Sequence, residues 1–362
     1  MADPNLSSDA DSGGALEPEN FAVDAVLQRR IIQNIIDVLD RYVSVDKAGA
    51  MQQALRQRWD AVGENDTQTA AQLTNMLTAQ LQDLSQDRHL ELFYSPQILP
   101  ELNPDNPPLP AELERQWWLS SWRNFDINRV ERLAGNIGYL ELYGFVPPEF
   151  GAETAIAAMQ FLAHTEALII DLRHNGGGAP GMVALLCSYL FPAYPLIHLN
   201  DLHWRKNNQT QQWWTLPYLP GKRYVNKPVY VLTSPETFSA AEEFTYNLKV
   251  LRRATVIGET TRGGANPGAG YRIHDHFWIF IPTGRAINPT TSENWDGTGV
   301  RPDVKVPSEL ALETAHLKAL ETLLETASEA SFERELQRSI YRVQQDLNGL
   351  RQDLISKLKV KS

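Results

Sequence analysis

The fold turns on residues 229–268, VYVLTSPETFSAAEEFTYNLKVLRRATVIGETTRGGANPG. Val229-Tyr-Val-Leu232 is a short apolar, β-branched run stopped by Thr233-Ser-Pro235, the pattern of a buried strand entering a turn. A helical segment follows from about Ala240 to Leu251, and Ala254-Thr-Val-Ile257 restores the strand signal before a glycine-rich loop. Strand, helix and strand in this order are the unit of an α/β sheet. Ser239 falls at the first turn of the helix, where unpaired N–H groups and the helix dipole stabilise a developing anion. The same serine forms an S-x-x-E capping box with Glu242, in which it only satisfies helix N–H groups. Local pattern leaves both roles open.

The 362 residues suggest about two domains, and 43% hydrophobic with 21% charged residues describes an ordinary globular chain. A formal charge of −11 argues against a phosphate-binding surface, so no nucleic-acid partner is expected. The single cysteine, Cys187, lies in an apolar run and reads as buried filler. No C-x-x-C or H-E-x-x-H pattern is present, so neither metal nor cofactor is implied. The acidic start has neither a basic n-region nor an apolar h-region, and no apolar run is long enough to span a membrane. A cytoplasmic location is the expectation.

Residues 1–18 are rich in Asp, Ser, Gly and Pro and are expected to be disordered. Over residues 19–95, Leu27, Ile31, Ile35 and Leu39 open three amphipathic helical patterns, a small helical domain. It ends in Leu84-Ser-Gln-Asp-Arg-His-Leu90 and a strand-like run to Tyr94, so His89 stands where helix gives way to strand. Residues 96–122 read as a linker, proline-rich to about Pro110 and then carrying Trp117, Trp118 and Trp122. Residues 123–312 alternate strands and helices, with a polar and aromatic insertion at 195–227. Ala167-Leu-Ile-Ile-Asp-Leu172, almost continuously apolar, suits a sheet covered on both faces. Residues 313–362 form a charged helical extension suited to docking or self-association.

A serine hydroxyl is inert until a base takes its proton, and the base is normally histidine. Among eight histidines, His89 has the most suggestive position. The loop Asn175-Gly-Gly-Gly178 follows a buried strand and offers backbone N–H groups to an oxyanion. Each also has a plain reading, as a solvated histidine and as a tight strand-to-helix turn.

Six ordered motifs go further: Asp87-Arg-His-Leu90; Gly138-Tyr-Leu-Glu-Leu142; Ile170-Asp-Leu-Arg-His-Asn-Gly-Gly-Gly178; Thr233-Ser-Pro-Glu-Thr-Phe-Ser-Ala-Ala-Glu242; Ala254-Thr-Val-Ile-Gly-Glu-Thr-Thr-Arg-Gly-Gly264; and Trp295-Asp-Gly-Thr-Gly-Val-Arg-Pro-Asp303. In this order the chain resembles the tail-specific, or C-terminal-processing, serine protease family over roughly residues 20–320. The likeness is greatest to its branch containing interphotoreceptor retinoid-binding protein and the tricorn protease core. The resemblance implies an α/β fold, a crotonase- or ClpP-like β-α superhelical core preceded by the small three-helix domain. Ser239 takes the position of the family nucleophile. Better-known members pair it with a lysine in the glycine loop, but that position is Gly264 here. Arg262 nearby cannot act as a base. The tricorn-like branch uses a histidine from the end of the helical domain, and His89 matches it. The carboxylate comes from a W-E-G motif in which Asp296 replaces glutamate, one methylene shorter. The oxyanion would sit between the N–H groups of Gly177 and Ala240. From Tyr94 to Ile137 there is no room for the PDZ domain that many members insert.

The expectation is a serine-type peptidase acting on peptide or protein substrates. The rival is a non-catalytic protein binding a retinoid or fatty acid in an apolar pocket, prompted by the tryptophans at 117–122 and 204–214.

Overall fold

A computed structural model describes residues 21–64, 66–100 and 110–361, with side chains to residue 357. The expected disorder of residues 1–18 and most of the proline-rich linker lie outside the described residues. After a two-residue strand, β1 (Ala22–Val23), come α1 (Ala25–Val38), α2 (Val45–Ala61), the short β2 (Gln68–Thr69), α3 (Ala70–Ser85) and β3 (Glu91–Tyr94). Asp24 caps α1 by accepting the Leu27 N–H at 2.8 Å, and Thr69 with Gln72 closes a reciprocal capping box on α3. Ile31, Ile35, Met51, Leu55, Leu73, Leu77 and Leu81, spaced for helix faces, are fully buried together.

This N-terminal cluster is not completed by helices alone. It takes in Ile273, Phe277, Ile279 and Ile281 from a hairpin far along the chain, β11 (Gly268–His274) and β12 (Phe277–Pro282). β3 pairs antiparallel with β12, Leu92 opposite Ile279, so residues 91–94 and 277–280 share a sheet. The 277–281 strand read from sequence therefore belongs to the packing of the N-terminal unit.

The core begins with a helix where a linker was expected, α4 (Pro110–Trp122), followed by β4 (Ile127–Leu133), β5 (Ile137–Leu142), α5 (Pro148–Leu162), β6 (Ala167–Asp171) and α6 (Pro180–Leu190). The insertion is a hairpin, β7 (His198–Trp204) and β8 (Gln209–Trp214). Then come β9 (Val229–Thr233), α7 (Ala240–Val250) and β10 (Thr255–Gly258), as residues 229–268 predict. After the β11–β12 hairpin, β13 (Gly284–Ile287) pairs with β7, and β14 (Val304–Lys305) precedes α8 (Ala311–Leu324) and α9 (Ala330–Lys361).

The central sheet has the order β14-β10-β9-β6-β5-β4, parallel except for the β4–β5 hairpin. Alternation of side chains assigns its two faces. Leu140, Leu168, Ile170, Val229 and Val231 face α5, α6 and α7, with the fully buried Cys187. Tyr139, Ile169, Tyr230 and Leu232 face α8 and α9, through Ala315, Ala319 and Leu336. A sheet buried on both sides explains the unbroken apolar runs of its middle strands.

Candidate active site

The turn between β9 and α7 holds Ser239 at φ 55° and ψ −121°. A non-glycine residue in such a conformation costs of order 1–3 kcal/mol and persists only where its surroundings over-determine it. Three hydrogen bonds supply that constraint by tying the turn to the loop after β6. The Phe238 N–H donates to the Asn175 carbonyl at 3.0 Å. The hydroxyls of Ser234 and Thr237 donate to the carbonyls of Arg173 and Leu172, at 2.5 and 2.8 Å. Glu242 adds a second set of ties. Its fully buried carboxylate accepts the Ser239 N–H at 2.9 Å, the Thr261 hydroxyl at 2.5 Å, and the N–H groups of Gly263 and Gly264 at 2.7 and 2.8 Å. Burial nevertheless raises its pKa to about 7 against the pull of those donors. The capping-box glutamate thus fastens the 263–264 loop to the start of α7.

The loop after β6 is shaped by an ion pair, with Asp171 accepting from Arg173 Nη2 at 2.6 Å and from the Tyr139 hydroxyl at 2.8 Å. Gly177, at φ 106°, lies directly against the serine turn: a Cβ there would sit 2.7 Å from Ser239 Cβ and 3.0 Å from the Ala240 nitrogen. Only glycine permits that approach. The Gly177 N–H donates to Asn175 Oδ1 at 2.8 Å. The N–H groups of Gly178 and Ala240 have no acceptor among the described residues.

Gln86 ends α3 in a left-handed conformation, and the chain turns through Asp87, whose Oδ1 accepts the His89 N–H at 3.0 Å. This local bond, absent from the sequence reading, aims His89 into the core side of the site. Its ring lies on Phe238, centroids 4.3 Å apart, and 5.6 Å from the ring of Phe280. A Cβ on Gly264 would fall 2.7 Å from His89 Cε1 and 2.2 Å from Phe238 Cε2. The two rings thus fill the space that a side chain at position 264 would need. His89 is buried, and burial, helped by the Arg262 guanidinium stacked on Phe238 (4.6 Å), lowers its pKa to about 3. Its Nδ1 has no hydrogen-bond partner. Among the described residues no hydrogen bond joins His89 to Ser239.

Asp296, expected beside His89, spends its oxygens elsewhere. Oδ1 accepts the Ala265 N–H at 3.2 Å and Oδ2 accepts from Asn266 Nδ2 at 3.0 Å. The carboxylate facing the imidazole is Asp87, with Oδ1 4.0 Å from His89 Nδ1. Asn266 Nδ2 also donates to Asp87 Oδ2 at 3.1 Å, so one amide joins the two acids, and the Tyr42 hydroxyl donates to the same Asp87 oxygen at 3.1 Å. Burial, then the charge of Asp87, raises Asp296 to about 7; burial raises Asp87 as well. Asp87 stood inside a quoted motif, and its D-x-H spacing was the signal that could have marked it. Asn266 carries no sequence signal of its role.

The tryptophans of the two stretches stand on separate elements, α4 and the β7–β8 hairpin. Trp117, Trp118 and Trp122 are 50, 57 and 78% exposed on α4. Trp204 lines a cavity of about 610 Å³ with Tyr271 and Ala269, bordered by the charged Asp40, Arg41, Arg205 and Lys206. Trp214 stacks on His198.

The turn at the start of α7 thus carries a strained serine, with a glycine loop against it and the His89 ring on the preceding Phe238. Residues 136–306 match the family model of peptidase family S41, and residues 26–116 match the N-terminal domain of Peptidase_S41 in eukaryotic IRBP. The core is a peptidase family S41 domain behind that family's N-terminal domain. Among solved structures, the chain is similar to a peptidase candidate from Parabacteroides merdae, at 18% identity, covering 84% of this chain and 98% of that one with a TM-score of 0.53. It is similar over 82% of its length to 96% of a lipoprotein from Streptococcus agalactiae, at 14% identity and a TM-score of 0.50. These two likenesses show the fold. A photosystem II D1 C-terminal processing protease aligns with 48% of the chain, over only 43% of its own length, at 22% identity and a TM-score of 0.39.

Proposed function

We propose that the chain is a serine-type peptidase in which Ser239 is the nucleophile and His89 the general base. Ser239 Oγ bonds to the carbonyl carbon of a peptide, its proton passes to His89, and His89 returns that proton to the departing amine; water then releases the acyl group by the same steps in reverse. The oxyanion is held by the Ala240 N–H and a glycine-loop N–H. The Gly177 N–H serves only by leaving Asn175 Oδ1, to which it donates at 2.8 Å, whereas the Gly178 N–H has no competing acceptor among the described residues. Asp296 acts at two removes from the imidazole, through Asn266 and then Asp87.

The observation that carries this reading is the fit of His89 against Gly264. Where relatives place a lysine, this chain has no side chain, and the imidazole occupies the vacated space beside the residue preceding Ser239. Burial keeps the imidazole neutral, the form able to accept a proton, and to act as a base near neutral pH it needs an opposite charge beside it to offset that burial. Labelling with a fluorophosphonate probe tests the proposal. Wild type should react, and Ser239→Ala and His89→Ala should not. An unreactive wild type, or a Ser239→Ala protein labelled as fast as wild type, overturns it.

A further inference from the structure

We infer that Asp87 is the positioning residue for the His89 imidazole, and that Asn266 couples it to Asp296 so that the two carboxyls share a single proton. The inference rests on His89 being the base and names what orients it.

Three observations converge on Asp87. His89 Nδ1 is a buried ring nitrogen without a partner, and such groups are rare because each forfeits its hydrogen bond to water. The nearest carboxylate oxygen, Asp87 Oδ1 at 4.0 Å, already holds the His89 backbone N–H, so both ends of the residue converge on one atom. A swing of about 1 Å closes the contact to a hydrogen bond, within the looseness that unliganded catalytic sites show. With Nδ1–H directed at Asp87, the tautomer is set and Nε2 is left as the proton acceptor for Ser239.

The coupling follows from Asn266. Its amide nitrogen donates to Asp87 Oδ2 and Asp296 Oδ2 at 3.1 and 3.0 Å, which gathers the buried Asp87 carboxyl and the half-buried Asp296 carboxyl around one atom. Like charges so placed do not both ionise. Asp87 has more of the remaining donors than Asp296. The Tyr42 hydroxyl and the His89 N–H donate to it, while Asp296 has the Ala265 N–H. The Lys47 ammonium, bonded to the Ser85 carbonyl at 2.5 Å, draws on both. On the far side of His89 stand Arg262 and its partner Glu91, 3.8 Å apart. Asp296 is then the proton reservoir: with its proton held there, Asp87 carries the negative charge that His89 needs.

Nuclear magnetic resonance of ¹⁵N-histidine-labelled protein, in the Ser239→Ala background, tests this whether or not Ser239 proves reactive. A slowly exchanging, downfield Nδ1–H resonance should be present and should vanish in His89→Ala, which assigns it. It should be lost in Asp87→Asn, a variant of the same shape that keeps one acceptor oxygen, enough for the His89 N–H, and loses the charge. It should persist in Asp296→Asn, where loss of the second acid lets Asp87 stay ionised to lower pH, and the resonance should survive to correspondingly lower pH. In the reactive background, Asp87→Asn should slow fluorophosphonate labelling at least tenfold, and Asp296→Asn should move the acid limb of the labelling profile downward. No such resonance, its retention in Asp87→Asn, or its loss in Asp296→Asn would overturn the assignment. A purely structural Asp87 would lower the melting temperature without moving the acid limb in either variant.

Discussion

The imidazole of His89 rests on the phenyl ring of Phe238, centroids 4.3 Å apart, and Arg262 covers the same phenyl ring at 4.6 Å. The base and the residue before the nucleophile are thus one stack, contributed by the helical unit and the core. Arg262 also disfavours a charged His89, second to burial. In Arg262→Gln the histidine should protonate more readily, so the acid limb of the labelling profile should move to higher pH. An unmoved limb would show that the guanidinium is too well screened to matter.

Gly264→Ala introduces a Cβ 2.2 Å from Phe238 and 2.7 Å from His89. Overpacking of this kind costs about 1–3 kcal/mol, and the displaced part is the base. Labelling should fall at least tenfold while the melting temperature drops by only a few degrees. Labelling at the wild-type rate would mean that the His89 position seen here is dispensable.

Glu242→Gln should be costly. The carboxylate accepts four donors, and an amide nitrogen in place of either oxygen would face an N–H or O–H instead of accepting it. A buried donor left unmet costs about 1–3 kcal/mol, so chemical denaturation should report a loss of at least that size. A neutral result would mean that the 263–264 loop is held by other contacts.

Glu243 gives a pH-dependent prediction. It is nearly fully buried on α7, and burial raises its pKa to about 8. A folded pKa above the unfolded value means that the native state holds the proton more tightly, so this contribution is full below about pH 4.5 and is lost as pH rises towards 8. In Glu243→Gln that loss disappears. The stability difference between pH 5 and pH 9 should shrink by about 2–4 kcal/mol relative to wild type. An unchanged difference would show that Glu243 ionises freely in the native state.

The sheet, its order of strands and helices, and the serine's place at the start of α7 were legible in residues 229–268, because buried strands and a capped helix leave a local signature. The motif order also carried His89 and Gly264. What could not be read were relationships between distant segments. The 268–282 hairpin completes the N-terminal cluster because its apolar face meets α1 and β3, and nothing local announces that. Asp296 carried the carboxylate role by position in a motif, yet its oxygens turn to Ala265 and Asn266, while Asp87 wins the place beside His89 through a two-residue turn. The α4 helix was read as linker because its tryptophans follow a proline-rich run. It buries none of its residues, so no amphipathic face marked it.

The central claim is that Ser239 forms the acyl-enzyme bond, and peptide mapping of fluorophosphonate-labelled protein by mass spectrometry tests it most directly. The account predicts the phosphonyl adduct on the peptide containing Ser239, abolished in Ser239→Ala and strongly reduced in His89→Ala. An adduct on another residue, or one on Ser239 that forms at the wild-type rate without His89, would contradict it.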